Sequence, residues 1–266
     1  MTIIDTHAHL YDFPNADDVL RDSAAAGVSD VVALGVDLAS SKKHIEIVEQ
    51  LQNDSPPLVG GGRGMQVHLA LGLHPGNIQT DHIDATFLFF LEELRRFNLR
   101  SSNIVAIGEA GLDFWYKWVR QDDAKKNEQR VVFQRHLDLA REFDLPIVVH
   151  CRGAWRESLG MIKAAHVKKA VFHWYSGPVD VLKDILDAGF LISGSLALEY
   201  SPEARQAVEY AQIDRILVET DTPVRGATPK DVWRSFKALC QIKGIDEDKA
   251  LAVVNANARA FFNIEE

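Results

Sequence analysis

Short apolar runs alternate along the chain with stretches whose apolar residues recur at i, i+3 and i+4. The runs are IIDTH (3–7), DVVALGV (30–36), QVHLALGL (66–73), IVAIGE (104–109), PIVVHC (146–151), KAVFHW (169–174), GFLISGS (189–195) and RILVET (215–220). They are rich in Val, Ile and Leu without strict alternation, which is how strands buried on both faces read. Helical spacing marks residues 16–26, 39–52, 84–98, 125–143, 155–165, 178–188, 202–211 and 229–243, with one more helix over 246–262. Strands that each lead into a helix imply a parallel sheet, and eight such pairs are the count of a closed barrel. The expected fold is therefore α/β, a (β/α)8 TIM barrel with an extra C-terminal helix. A doubly wound open sheet is the competing arrangement.

The length, 266 residues, suits one barrel, so residues 1–266 are expected to form a single domain. The strongest break is PPLVGGGRG (56–64). No GK[ST] follows it, so it reads as a loop into the third strand rather than a phosphate cradle. No apolar stretch is long enough to span a bilayer, and MTIIDTHAHL does not have the plan of a secretory leader. With two cysteines, Cys151 and Cys240, no disulfide framework is expected, and a reduced, cytoplasmic setting follows. The formal net charge of −9 disfavours a dedicated duplex-binding surface but leaves room for an enzyme that grips a few nucleotides through a local basic rim.

Candidate chemistry lies where polar residues interrupt the apolar runs. His7 and His9 end the first strand, Glu109 the fourth, His150 the fifth, His173 the sixth and Asp221 the eighth. The C-terminal ends of barrel strands converge on one face, so these six side chains are expected to meet there. Residues i and i+2 of a strand point the same way, which lets His7 and His9 share one metal. A carboxylate placed as Glu109 is costs too much to bury unless it is paired or metal-bound, and its two oxygens can bridge two cations. Asp221 raises the same cost, and Glu219, two residues earlier, reads as a supporting carboxylate. His74, in GLHPG, is placed to face the site as a substrate contact or acid/base group. His44, His82, His136 and His166 read as surface or capping residues, and His68 as lying near the opposite end of the barrel. Cys151 is adjacent to His150 and should face away from the site into the core. Ser193 and Ser195 lack a G-x-S-x-G elbow.

The motifs DTHAHL, GLHP, IGEAGLD, QRVVFQRHLDLAREFDLPIVVHCRGA, FHWYSGP, SGS, LVETDTP and NANARAFF, in this order, resemble those of the TatD family of metal-dependent deoxyribonucleases, over about residues 3 to 262. The resemblance implies an amidohydrolase-like barrel with one or two divalent metal ions. It implies His7, His9, Glu109 and Asp221 as ligands of one metal and Glu109, His150 and His173 as ligands of the other. Three departures alter the substrate rim: Gly76 where the family commonly has His, His173-Trp174-Tyr175 where it has HCF, and Gly153 where it has Asp.

The implied activity is hydrolysis of DNA phosphodiester bonds, with single-stranded DNA as the expected partner. Asp221, Glu109 and His74 are the expected catalytic groups, with His74, Arg152, Arg225 and Trp174 as substrate contacts. Trp115, Tyr116, Trp174 and Tyr175 are candidates for base stacking or for loop packing over the mouth. Zn and Mn suit four imidazoles and two carboxylates, whereas Mg prefers oxygen ligands, so the metal stays open among Zn, Mn and Mg. The alternative reading is a metal-dependent hydrolase of carboxylic or aminoacyl-tRNA esters or lactones on the same barrel. Oligomeric state is not readable from the sequence.

Overall fold

A computed structural model describes residues 1–54, 64–78, 82–98 and 103–265, and all that follows concerns these. The glycine-rich loop at 56–64 lies, apart from Gly64, outside the described residues. Eight strands appear: β1 (Ile3–Ala8), β2 (Val28–Leu34), β3 (Gln66–Leu71), β4 (Ile104–Asp113), β5 (Ile147–Arg152), β6 (Ala170–Phe172), β7 (Leu191–Gly194) and β8 (Ile216–Val218). Each is followed by a helix: α1 (Ala16–Ala25), α2 (Leu38–Asp54), α3 (Ile83–Asn98), α4 (Asp123–Glu142), α5 (Trp155–Ala164), α6 (Val179–Asp187), α7 (Pro202–Tyr210) and α8 (Val232–Lys243). A ninth helix, α9 (Glu247–Phe262), closes the chain.

The strands lie in the order β1 to β8, all parallel. A doubly wound sheet would reverse its strand order at a switch point, and none occurs. The ring closes where the chain after β8 meets β1. Ala8 bridges Thr222, His9 N donates to Thr222 O at 2.9 Å, and Asp221 N donates to His7 O at 2.9 Å.

Two apolar layers follow from strands buried on both faces. The inner layer joins Ile4, Val32, Leu34, Ala70, Val148, Val171 and Leu217 to Phe261, Phe262 and Ile264. The end of α9 thus plugs the N-terminal end of the barrel; burying each Phe contributes about 1.5–3 kcal/mol. The outer layer packs the other strand faces on the helices. α9 starts where the Asp246 side chain accepts from Lys249 N and stops where Asn263 turns left-handed, at φ 54°. With one end plugged, the chemistry is confined to the other.

The elements match the sequence pattern closely, with physical exceptions. β4 runs past Glu109 to Asp113, so Glu109 lies inside the strand, beside a register shift between Ile107 and Ala110. β6 and β8 stop early, leaving His173 and Asp221 in the turns just beyond them. α8 begins at Val232, because a Thr228–Asp231 capping box shapes Pro229–Asp231 as a separate 3-10 turn. His44 and His136 are buried, not on the surface, whereas His82 and His166 are exposed. Among the described residues no helix is long and apolar enough to cross a membrane.

Candidate metal centre

The six expected side chains converge at the C-terminal mouth, and all but the fully buried His7 line a cavity of about 680 Å³, together with Tyr11, His74, Tyr116, Arg152 and Trp174. His7 Nε2 and His9 Nε2 face each other at 3.2 Å. Asp221 Oδ1 lies 3.1 Å from His9 Nε2 and 3.5 Å from His7 Nε2. Glu109 Oε2 completes this nest at 3.4 Å from His7 and 3.5 Å from His9. Its other oxygen, Oε1, turns to a second nest, 2.8 Å from both His150 Nδ1 and His173 Nε2, which are 3.3 Å apart.

These spacings fit a cation. Two nitrogens bound tetrahedrally to one ion at about 2.0–2.1 Å stand about 3.3 Å apart. The ring lone pairs of each couple point at each other and at a carboxylate oxygen, an arrangement that repels unless a proton or a cation lies between them. The donor set, four imidazoles with the shared Glu109 carboxylate and Asp221, fits a divalent metal ion.

The charges balance the same way. Burial would lower His9, but its bond to Asp221 and the Asp221 and Glu109 charges hold it up at about 9. Burial would also lower His173 and His150; the Glu109 charge raises His173 well above the ordinary value, and bonds to Asp113 and Glu109 raise His150. Burial opposes ionisation of Asp221, yet the bond from His9 and the neighbouring imidazoles bring it down to about 2. Glu109 is likewise held well below its ordinary value against burial, chiefly by His173 and His74. Without a metal, protons on the imidazoles balance the carboxylates.

A surrounding layer fixes these rings. Asp113 Oδ2 lies 3.0 Å from His150 Nε2 and accepts from Arg152 Nε at 2.6 Å. Glu219 approaches the outward nitrogens of both nests, His173 Nδ1 at 3.4 Å and His7 Nδ1 at 3.9 Å. Among the described residues neither Nδ1 has a partner within hydrogen-bond geometry. Glu219 Oε1 also accepts from Trp174 N at 2.9 Å, which holds Trp174 at the mouth with φ 42°. Asp5 accepts from Thr220 N at 3.0 Å and from Thr220 Oγ1 at 2.7 Å, tying β1 to the turn that carries Asp221.

Of the expected substrate contacts, His74 enters the cavity with Nε2 3.6 Å from Glu109 Oε1. Its Nδ1 accepts from Gly76 N at 3.0 Å, so a neutral His74 carries its proton on Nε2, toward the cavity. Arg152 lies over the Tyr116 ring, 5.1 Å from its centroid. Arg225 stacks on Tyr200 at 3.7 Å and, among the described residues, pairs with no carboxylate. Cys151 turns to Ser158 at 3.3 Å, and burial pushes its thiol up to about 12, which removes it as a nucleophile. Ser193 accepts from Trp174 N, and Ser195 caps a 3-10 turn. His68 pairs with Asp30 at 2.9 Å, away from the metal nests.

Sequence reasoning missed Asp113, Asp5, Gln129 and His136. Gln129 Oε1 accepts from Asp113 N at 2.9 Å and its Nε2 donates to Pro75 O at 3.3 Å. His136 Nε2 accepts from Leu73 N at 2.9 Å while its Nδ1 faces Val132 O at 2.8 Å. The available signal was two polar residues seven apart, hence on one face of α4. Asp5 and Asp113 lie at even spacing from His7 and Glu109 along their strands, which was a weaker hint.

A plugged barrel whose open mouth gathers four imidazoles and two bridging or flanking carboxylates is the architecture of a metal-dependent hydrolase. Residues 4–263 match the TatD-related DNase family, and the chain belongs to it. It is similar to human deoxyribonuclease TATDN3, 28% identical over 98% of this chain and 94% of that protein. It is also similar to the uncharacterized metal-dependent hydrolase YabD of Bacillus subtilis, 27% identical over 98% of this chain and 99% of the other. Among solved structures, the TatD homolog YJJV of Escherichia coli superposes with a TM-score of 0.81 at 24% identity, over 99% of this chain and 98% of that one. A TatD-family hydrolase of Entamoeba histolytica gives 0.82 at 21% identity, over 98% of each chain. These two establish the fold.

Proposed function

We propose that the chain hydrolyses DNA phosphodiester bonds at this mouth. His7, His9 and Asp221 would hold one divalent ion and His150 and His173 a second, with Glu109 shared between them. The observation that supports this most is the division of Glu109's oxygens, one toward each pair of imidazoles. Such ions supply an activated water near neutral pH and charge balance for the phosphate.

The chain's own groups do the rest. Asp221, held ionised, accepts a proton from the water as its oxygen bonds to phosphorus, and that proton goes to the alcohol oxygen whose bond to phosphorus breaks. His74 donates from Nε2 to a phosphate oxygen. Arg152 offers the phosphate its partly exposed guanidinium, and the salt link to Asp113 fixes that orientation before substrate arrives. Trp174 walls the mouth. The test is incubation of purified protein with labelled DNA and with a panel of carboxylic esters, with Mg, Mn and Zn supplied in turn. Metal-dependent cleavage of DNA is the expected result; hydrolysis of esters alone would overturn the reading.

A further inference from the structure

The rim of the mouth carries two aromatic ledges that the metal chemistry does not use. The first follows β4 and β5. Trp115 is 59% exposed, and its indole occupies the space above Gly153: a Cβ at that glycine would lie 2.5 Å from Trp115 Cδ1. Its neighbour Tyr116 lies over Gly76 in the same way, with the phenol oxygen 2.6 Å from where a Cβ would stand, and stacks on Trp118. Gly76 and Gly153, two of the positions where this chain departs from the family motifs, thus make room for adjacent aromatic residues.

The second ledge follows β7 and β8. Tyr200, 41% exposed, carries the Arg225 guanidinium over its ring, 3.7 Å from the centroid. Arg225 holds a left-handed backbone, φ 57°, beside exposed Val224, which lines the mouth. A non-glycine residue in that region costs about 1 kcal/mol or more and persists where the surroundings enforce it.

In a closed ring ordered β1 to β8, the β4–β5 and β8 ends stand across the mouth from each other, with the metal nests between. We infer that Trp115 on one side, and the Arg225–Tyr200 pair on the other, stack unpaired nucleobases on the two sides of the scissile phosphodiester. Planar aromatic and guanidinium faces bind any base through its π-face, without reading its edge. A chain of net charge −9 cannot rely on diffuse attraction for the backbone, so stacking must supply much of its hold on a strand. Within the single-stranded substrate already expected, this selects a strand with a base on each side of the cut. A mononucleotide engages one ledge, and a duplex hides the base faces.

The inference rests on the phosphodiesterase reading, and one experiment separates the two. Metal-loaded protein is given short single strands with a unique cleavage position, intact or with an abasic residue on one side of it, the other side, or both. Each lost base is expected to raise KM about tenfold, on the scale of one base–aromatic stack. Trp115→Ala should abolish the penalty for the abasic residue on one side and keep it on the other; Tyr200→Ala should show the opposite pattern. Both residues are exposed, and the wild-type series decides the question without them. Cleavage indifferent to the missing bases overturns this inference and leaves the phosphodiesterase standing. Wild-type discrimination that neither variant alters overturns the assignment of the ledges. Absence of any DNA cleavage overturns both.

Discussion

Replacing Gln129 by Leu should uncouple the turn that carries His74 from the end of β4 that carries Asp113. Gln129 is fully buried on α4 and makes two bonds of opposite sense, accepting from Asp113 N and donating to Pro75 O. The amide can sit only one way round, because an N–H must donate and a carbonyl must accept. Leu fills a similar volume but leaves one backbone N–H and one carbonyl without partners, in a place where Asp113 and Pro75 are themselves buried. Each orphaned group costs roughly 1–3 kcal/mol, so a loss of about 2–6 kcal/mol in unfolding free energy is expected. Gln129→Glu keeps an acceptor for Asp113 N but turns a carboxylate oxygen on the Pro75 carbonyl, and should also destabilise. Urea unfolding of the metal-loaded protein measures the stability change. The same loss of register should lower kcat on DNA by about tenfold or more, since a misplacement of about 1 Å can cost a hundredfold. A Leu variant within roughly 0.5 kcal/mol of the parent, the range of a surface change, with unchanged kcat would refute the reasoning.

The metal-free protein should show two pH edges in urea unfolding. Ionised Asp221, brought from 3.8 to about 2, contributes stability that is present above about 4 and lost as the pH falls toward 2; protonated His9, raised from 6.5 to about 9, contributes stability that is present below 6.5 and lost as the pH rises through 9. A flat profile across both windows would contradict the charge pattern at the mouth. Metal uptake should release protons and weaken as the pH falls, because cations compete with protons for the same imidazoles; a pH-independent affinity by titration calorimetry would contradict it. His150→Ala combined with His173→Ala should remove one of two bound ions by elemental analysis, and an unchanged metal count would show that the ligands are grouped wrongly. Gly76→Ala should drive Tyr116 off its seat, since the new Cβ would meet the phenol oxygen at 2.6 Å; an unchanged Tyr116 position in a crystal structure of the variant would show that the seat has slack.

Much of the molecule was legible from the chain alone. Apolar runs bounded by helical spacing located the eight strands and nine α-helices of the described residues to within a few residues, because strands buried on both faces leave a dense hydrophobic record. Polar residues at strand ends marked the mouth, because a barrel gives every strand end the same destination. What stayed hidden depended on contacts between distant segments. His136 looked like an ordinary helix residue until Leu73, 63 positions away, supplied the N–H that makes its burial affordable. Asp113 gained meaning only when β5 brought His150 and Arg152 against it. Nor could composition reveal that Gly153 and Gly76 are the seats of Trp115 and Tyr116, since an absent side chain means nothing until another side chain is seen to fill its space. Local patterning therefore determined the elements and the ligand-bearing positions. Tertiary packing alone decided which oxygen of Glu109 faces which imidazoles, because that orientation is set by groups converging from strands far apart in sequence.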